Sequence, residues 1–249
     1  MTLFWHQLRA EQLTFWRSRE AAIFVFLFPP LLFVLLASVF GDGVEDGRRV
    51  SSYLVAGLIG YAVANTALGG LAITLVIRRE SGLLKRLRST PLPGSLYLTT
   101  VLLSNLLIVV LQSLTVIALG LLLFDADVPQ QTLQFVVSLV IGAACFAGLG
   151  LAAAALIRSA DAVAAVVNVI VLPMSFLSGA FGTTDNLPPV LELVADVLPL
   201  KYLIELVLAT YVDGDPLSQH LGAIGVLAIW GAGGYLVARA RFGWEPRER

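Results

Sequence analysis

Side chains able to do chemistry are few in this sequence, and their spacing is as telling as their number. A metal centre needs three or four ligands converging on one point, whereas His6 and His220 stand at opposite ends of the chain. Both read as interfacial residues. The single cysteine, Cys145, lies inside an apolar run and has no partner for an intramolecular disulfide. A phosphate-cradling loop of the form G-x-x-x-x-G-K-[ST] needs its lysine. The chain contains no Gly-Lys pair, so it does not hydrolyse ATP by itself. What remains is one cationic stretch, RRESGLLKRLRSTPLPGSLY, running from Arg78 to Tyr97 with five basic side chains in its first eleven residues. Its chemistry is recognition. Leu83, Leu84 and Leu87 share one face of a short helix, Lys85, Arg86 and Arg88 spread around the remainder, and Thr90, Pro91 and Pro93 stop it. An apolar groove with an acidic rim on a soluble partner could hold this helix and push on it. A basic loop that merely satisfies the charge bias of a membrane protein fits the same residues.

The elements that must position this stretch are apolar. Of 249 residues, 58% are hydrophobic and 13% charged, against a usual charged share of about a quarter. The expected class is an all-α membrane protein. The net charge of −1 gives no reason to expect a nucleic-acid partner. A helix needs about 20 apolar residues to cross the hydrocarbon core, and six stretches qualify, at 21–40, 53–77, 98–124, 133–157, 162–180 and 219–238. The first is too long for a signal peptide and is followed by a second span.

With six spans both termini share a side. That side would hold Arg9, Arg17, Arg19, Arg78, Arg79, Lys85, Arg86, Arg88, Arg158, Arg239, Arg241, Arg247 and Arg249, thirteen of the sixteen basic residues. The positive-inside bias makes it cytoplasmic. An arginine-heavy, alanine-rich composition is compatible with a high-GC bacterium, so the expected location is a bacterial cytoplasmic membrane, crossed several times.

Two further stretches are amphipathic. In residues 187–212, Glu192 and Asp196, then Lys201 and Glu205, recur four apart on an apolar background broken at Pro199. Two short helices dipping into the outer leaflet fit this pattern; a tilted seventh helix with polar faces against its neighbours is the alternative. In residues 1–20, Phe4, Trp5, Leu8, Phe15 and Trp16 fall within about a third of a helical wheel. This predicts a helix along the cytoplasmic interface, either as a lever beside the spans or as a plain surface anchor.

The span interiors contain no Asp, Glu, Lys or Arg, which disfavours ion-coupled transport and intramembrane hydrolysis, since both keep ionisable groups at mid-membrane. Their conspicuous polar residues are Asn65, Asn105, Gln112 and Asn168. Helix-to-helix hydrogen bonding accounts for these more simply than a cargo path does. Glycines in the second and fourth spans, Gly69, Gly70, Gly142, Gly148 and Gly150, suit close helix contact, and Pro29, Pro30 and Pro173 should kink their spans. With no motor of its own, the chain would need a partner to supply energy.

The segment from Glu80 to Leu98 resembles the loop between the second and third spans of type-2 ATP-binding-cassette exporter permeases, in Glu80, Gly82, Leu87, Arg88, Thr90, Pro91 and Leu92. A second resemblance to that family lies at Pro173, Phe176, Leu177, Ser178, Gly179, Leu187, Pro188, Leu198, Pro199 and Tyr202. It implies half of a transmembrane pore, completed by a second permease copy or paralogue and driven by two cytoplasmic ATP-binding subunits. Those subunits would carry ATP and magnesium, with no cofactor on this chain. Arg78 to Arg88 would be the coupling helix, with Glu80, Gly82, Leu83, Leu84, Arg86, Leu87, Arg88, Thr90 and Pro91 as the ATPase-coupling residues, and the N-terminal helix would brace it. An extracellular re-entrant hairpin would cap the exit, with Pro173, Gly179, Pro188, Pro199 and Tyr202 at the outer gate. The expected cargo is an amphipathic or lipid-like molecule or a drug; a polysaccharide or glycolipid is the alternative, and a non-transport scaffold is a third reading.

Overall fold

A computed structural model of the protein describes residues 2–40, 43–45, 48–182 and 188–243. Leu187, Arg247 and Arg249 lie outside the described residues. Six helices are long and apolar enough to cross a membrane. They are carried by α2 (Arg19–Phe40), a continuous rod made of α3 (Val50–Ala64), a π-helical turn (Asn65–Gly70) and α4 (Leu71–Glu80), α6 (Gly94–Leu123), α7 (Thr132–Leu156), α8 (Ala160–Leu177) and α11 (Leu221–Arg241). Helix α1 (Thr2–Arg17) precedes them, and α5 (Leu83–Arg88) joins the second span to the third. A two-residue antiparallel pairing of β1 (Val44–Glu45) with β2 (Arg48–Arg49) follows the first span.

The stretch around Pro199 forms two short helices, α9 (Pro189–Val197) and α10 (Pro199–Leu208), and no continuous seventh helix. Leu198, extended at φ −75° and ψ 131°, breaks them, as expected of a residue before proline. Each is well short of the length that crosses a bilayer. Leu200, Leu203, Ile204, Leu206 and Val207 of α10 are buried. In α9 only Ala195 is buried among the described residues. The break is fastened by Trp230, whose indole N–H donates to the Val197 carbonyl at 2.9 Å, by the Tyr202 hydroxyl donating to the Asp196 carbonyl at 2.6 Å, and by the Lys201–Asp196 ion pair.

The second span is the core of the bundle: 78% of its apolar window is buried, against 22% for the first and last spans. Helices α7 and α11 approach closely enough that a Cβ on Gly148 would stand 2.4 Å from the Gly231 carbonyl oxygen, and one on Gly234 2.6 Å from the Gly148 carbonyl carbon. Such contact is what small residues provide in lipid, where apolar burial gives no drive to associate. Gly150 packs in the same way, its Cβ position 2.7 Å from the Ala67 carbonyl oxygen of the π turn.

At the end of the bundle away from α5, the loop after α6 is tied to both neighbours. Ser52 Oγ donates to Asp127 Oδ2 at 2.9 Å and accepts from the Asp127 backbone N–H at 3.1 Å. The Tyr211 hydroxyl donates to the Asp127 carbonyl at 2.6 Å, and Arg49 donates to the Asp125 carbonyl at 2.8 Å.

Candidate functional site

The basic stretch divides into an inward root and an outward tip, a division that composition alone does not show. Successive residues of a helix point about 100° apart, so Arg78 and Arg79 at the end of α4 reach different neighbours. Arg78 forms a two-pronged pair with Glu11 of α1, at 3.0 Å and 2.7 Å, and donates to the Tyr97 hydroxyl of α6 at 2.8 Å. Both ionic partners are largely buried, at 14% and 8% exposure. Arg79 is fully buried. It donates to the Ala154 and Ile157 carbonyls at 2.7 Å each, satisfying oxygens that the end of α7 leaves unpaired. Its Nε donates to Glu80 at 3.1 Å. One dipeptide thus ties the second span to α1, α6 and α7.

The chain then turns at Gly82, which sits in the left-handed region at φ 72°, and α5 follows. Leu84 of α5 is completely buried, Leu87 is half-buried against the core, and Leu83 is 42% exposed. The three leucines therefore divide their work: Leu84 anchors, and Leu83 presents apolar surface outward beside the exposed Lys85, Arg86 and Arg88. The Ser89 and Thr90 hydroxyls donate to the Arg86 and Leu87 carbonyls at 2.7 Å and 2.6 Å, closing the helix before Pro91. A cavity of about 300 Å³ lined by Leu87, Arg88, Leu92, Gly94 and Tyr97 lies where α5 meets α6.

Helix α1 packs along the bundle. Leu8 and Glu11 are buried and Phe4, Gln7, Gln12 and Phe15 half-buried, a spacing of three and four residues that marks one helical face. Gln12 donates to the Ser104 hydroxyl at 2.9 Å and its carbonyl at 3.1 Å. Trp5 and Trp16 remain exposed, and Trp16 stacks on Phe26 of α2 with ring centroids 5.2 Å apart. Glu11 and Tyr97 escaped the sequence reading as site residues, and Arg78 and Arg79, counted with the coupling stretch, were not told apart from its outward tip. The signal available was the lone carboxylate in the middle of α1, on the face that also carries Leu8.

The in-span polar residues separate sharply. Gln112 is buried and accepts from the Thr66 hydroxyl at 2.8 Å while donating to the Val25 carbonyl at 2.7 Å. Val25 stands four residues before Pro29, which has no N–H to offer, so Gln112 satisfies the carbonyl that the proline leaves open. Asn105 donates to the Val101 carbonyl of its own helix at 2.9 Å, and Asn65, at the start of the π turn, is half-buried. Asn168 is exposed in the middle of α8. Of the outer residues, Pro173 and Pro188 are exposed, Gly179 and Pro199 buried, and Tyr202 half-buried. Gly179 accepts at its carbonyl from the Tyr53 hydroxyl at 3.2 Å. The coupling, polar-span and outer sets therefore occupy separate regions.

The family described as ABC-2 type transporter matches residues 2–212. Nodulation protein J of Rhizobium leguminosarum bv. viciae is 37% identical over 95 residues, a match covering 38% of this chain and 36% of that protein, so about a third of its length. The putative transport permease YvfS of Bacillus subtilis (strain 168) is 22% identical over 200 residues, 80% of this chain and 81% of that one. With six apolar spans, no nucleotide-binding motif and a family match over most of its length, the chain belongs to the ABC-2 type transporters, as a multi-pass membrane permease subunit.

Proposed function

We propose that this permease exports an amphipathic or lipid-like molecule, drugs included, using ATP hydrolysed with magnesium on two cytoplasmic ATP-binding subunits that grip α5. The observation that carries the reading is the contrast within one short segment. Leu83, Lys85, Arg86 and Arg88 face outward, while Leu84, Arg78 and Arg79 fix the root of the same segment to the core, α1, α6 and α7. A surface-only loop has no need of a fully buried arginine. Glu80, Gly82, Thr90 and Pro91 set the turn on either side of α5. The arginine bias puts this end, with both termini, in the cytoplasm, and α9 and α10 at the exterior as a re-entrant cap over the gate.

A second permease copy or paralogue completes the pore. Mid-span Asn168 sits on a face with exposed Ala164, Ala165 and Leu172, and an asparagine facing lipid is costly enough that such a face belongs against a partner or a wet path. Asn65 and Asn105 lie at the glycine-rich π turn and line the path less directly, whereas Gln112 serves the helices.

One observation favours a polysaccharide or glycolipid as the second reading. Rings run in a row from Phe24 through Phe28, Tyr61 and Phe181 to Phe176, with successive centroids 5.1, 6.2, 5.3 and 4.8 Å apart. The exposed rings at its two ends, Phe24 and Phe176, offer stacking faces to sugars. Replacing Phe24 and Phe176 by leucine keeps the surface apolar, so lipid export would continue and sugar export would fall.

The coupling reading is tested by Leu83→Ala with Arg86→Glu, measuring membrane insertion, co-purification of the ATP-binding subunit and ATP turnover. Normal insertion with loss of the other two is expected. Unchanged turnover and association would refute the grip and leave a scaffold role.

A further inference from the structure

We infer that the outer groove between α6, α7 and α11 is a binding site for an anionic membrane phospholipid, separate from the cargo path. The groove is a consequence of the glycine contact between α7 and α11. That contact draws the two helices together at Gly148 and Gly231, and the small side chains Ala144 and Ala147 of α7 leave room beside Leu102 and Leu106 of α6. The resulting cavity of about 360 Å³ is continued by a second of about 200 Å³, and Leu151 and Tyr235 line both. The first is walled almost wholly by aliphatic side chains. The second adds Arg239 and Phe242.

The order of chemistry along α11 identifies the occupant. Gly231, Tyr235 and Arg239 are spaced by four, so they share one face of the helix. That face passes from a bare backbone against aliphatic walls, to an exposed phenol, to an exposed guanidinium at the arginine-rich end of the bundle. A phospholipid presents the same sequence of tail, ester region and phosphate at matching depths. An empty apolar groove forfeits dispersion contacts along its walls, and a lipid tail restores them. Arg239 forms no ion pair among the described residues, so its charge is available to a phosphate. Arginine suits that group by geometry as well as charge. Because α8 contributes nothing to the groove, and Asn105 of α6 turns away from it to the π turn, its Oδ1 3.7 Å from the Cβ position of Gly70, an occupant there does not obstruct the path proposed above.

The test uses the purified full-length permease with its ATP-binding subunit, without ATP or cargo, so that neither result depends on transport. Native mass spectrometry counts retained phosphatidylglycerol and phosphatidylcholine of equal chain length. The expected preference for phosphatidylglycerol is about fivefold, the worth of one basic residue near a membrane surface, and Arg239→Gln should abolish it. Ala144→Phe, at an exposed position in the groove, should lower retention of both lipids alike. Leu103→Trp replaces it if Ala144→Phe does not fold. Arg86→Gln, on α5, should leave the preference intact. A preference surviving Arg239→Gln, equal retention of the two lipids by the unaltered protein, or retention indifferent to a filled groove would each overturn the site. Competition by soluble glycerol phosphate would overturn it too, by indicating a simple phosphate site.

Discussion

Glu11 and Arg78 make the strongest claim on coupling, because their pairing joins α1 to the root of α5. Replacing Glu11 with leucine leaves the guanidinium largely buried, with the neutral Tyr97 hydroxyl, 2.8 Å away, in place of a carboxylate as its acceptor. Removing one partner of a buried pair costs about 3–5 kcal/mol, mostly through the charge left behind. At the usual conversion this lowers the melting temperature by roughly 10 °C. The double variant Glu11→Leu with Arg78→Met removes both charges and fills similar volume, which is often neutral or stabilising, so its melting temperature should return near the starting value. Thermal unfolding and ATP turnover of the co-purified complex then separate two roles. If α1 braces the coupling helix through this pair, the double variant melts normally yet turns over ATP without responding to the permease. Unaltered melting of the single variant would refute the energetic argument, and a double variant with full stability and full coupling would refute the brace.

Gly82→Ala keeps open space around the new methyl but forces an alanine to φ 72°, costing about 1–2 kcal/mol; weaker binding of the ATP-binding subunit with normal insertion is expected, read as a pull-down titration. Gly148→Leu has no room, with the Gly231 carbonyl 2.4 Å from its Cβ, so α7 and α11 must part and the yield of folded, detergent-stable protein should collapse. Gln112→Leu should cost about 1–2 kcal/mol by unfolding measurements, and less in a Pro29→Ala background, where the Val25 carbonyl regains a backbone donor; equal costs in both backgrounds would show that Gln112 does not serve the proline break.

How much of this was visible beforehand depends on what each feature is made of. The six spans were legible because bilayer thickness fixes their length, and the break at Pro199 because proline restricts the residue before it. The helix of the second span runs past its apolar stretch, to Glu80, since hydropathy stops at the first charge while hydrogen bonding does not, whereas α8 ends at Leu177, short of the expected 180. Arg78 and Arg79 could not be told from Lys85 and Arg86 by type or spacing. Their burial depends on Glu11 and the end of α7, partners distant in sequence. Gln112 was readable as a helix-to-helix residue, but its link to Pro29 needed the register of α2 against α6. The π turn at Asn65–Gly70 has no periodic signature at all.

The anchoring of α5 limits what kind of movement a motor could produce. A six-residue helix whose second residue, Leu84, is fully buried, which follows two anchored arginines and packs Leu87 against the core, has little slack with which to swing. A push delivered there passes into α4, α1, α6 and α7 together, so the permease would respond by tilting as a block, and with the second permease proposed above the seam that opens would be the one between the two.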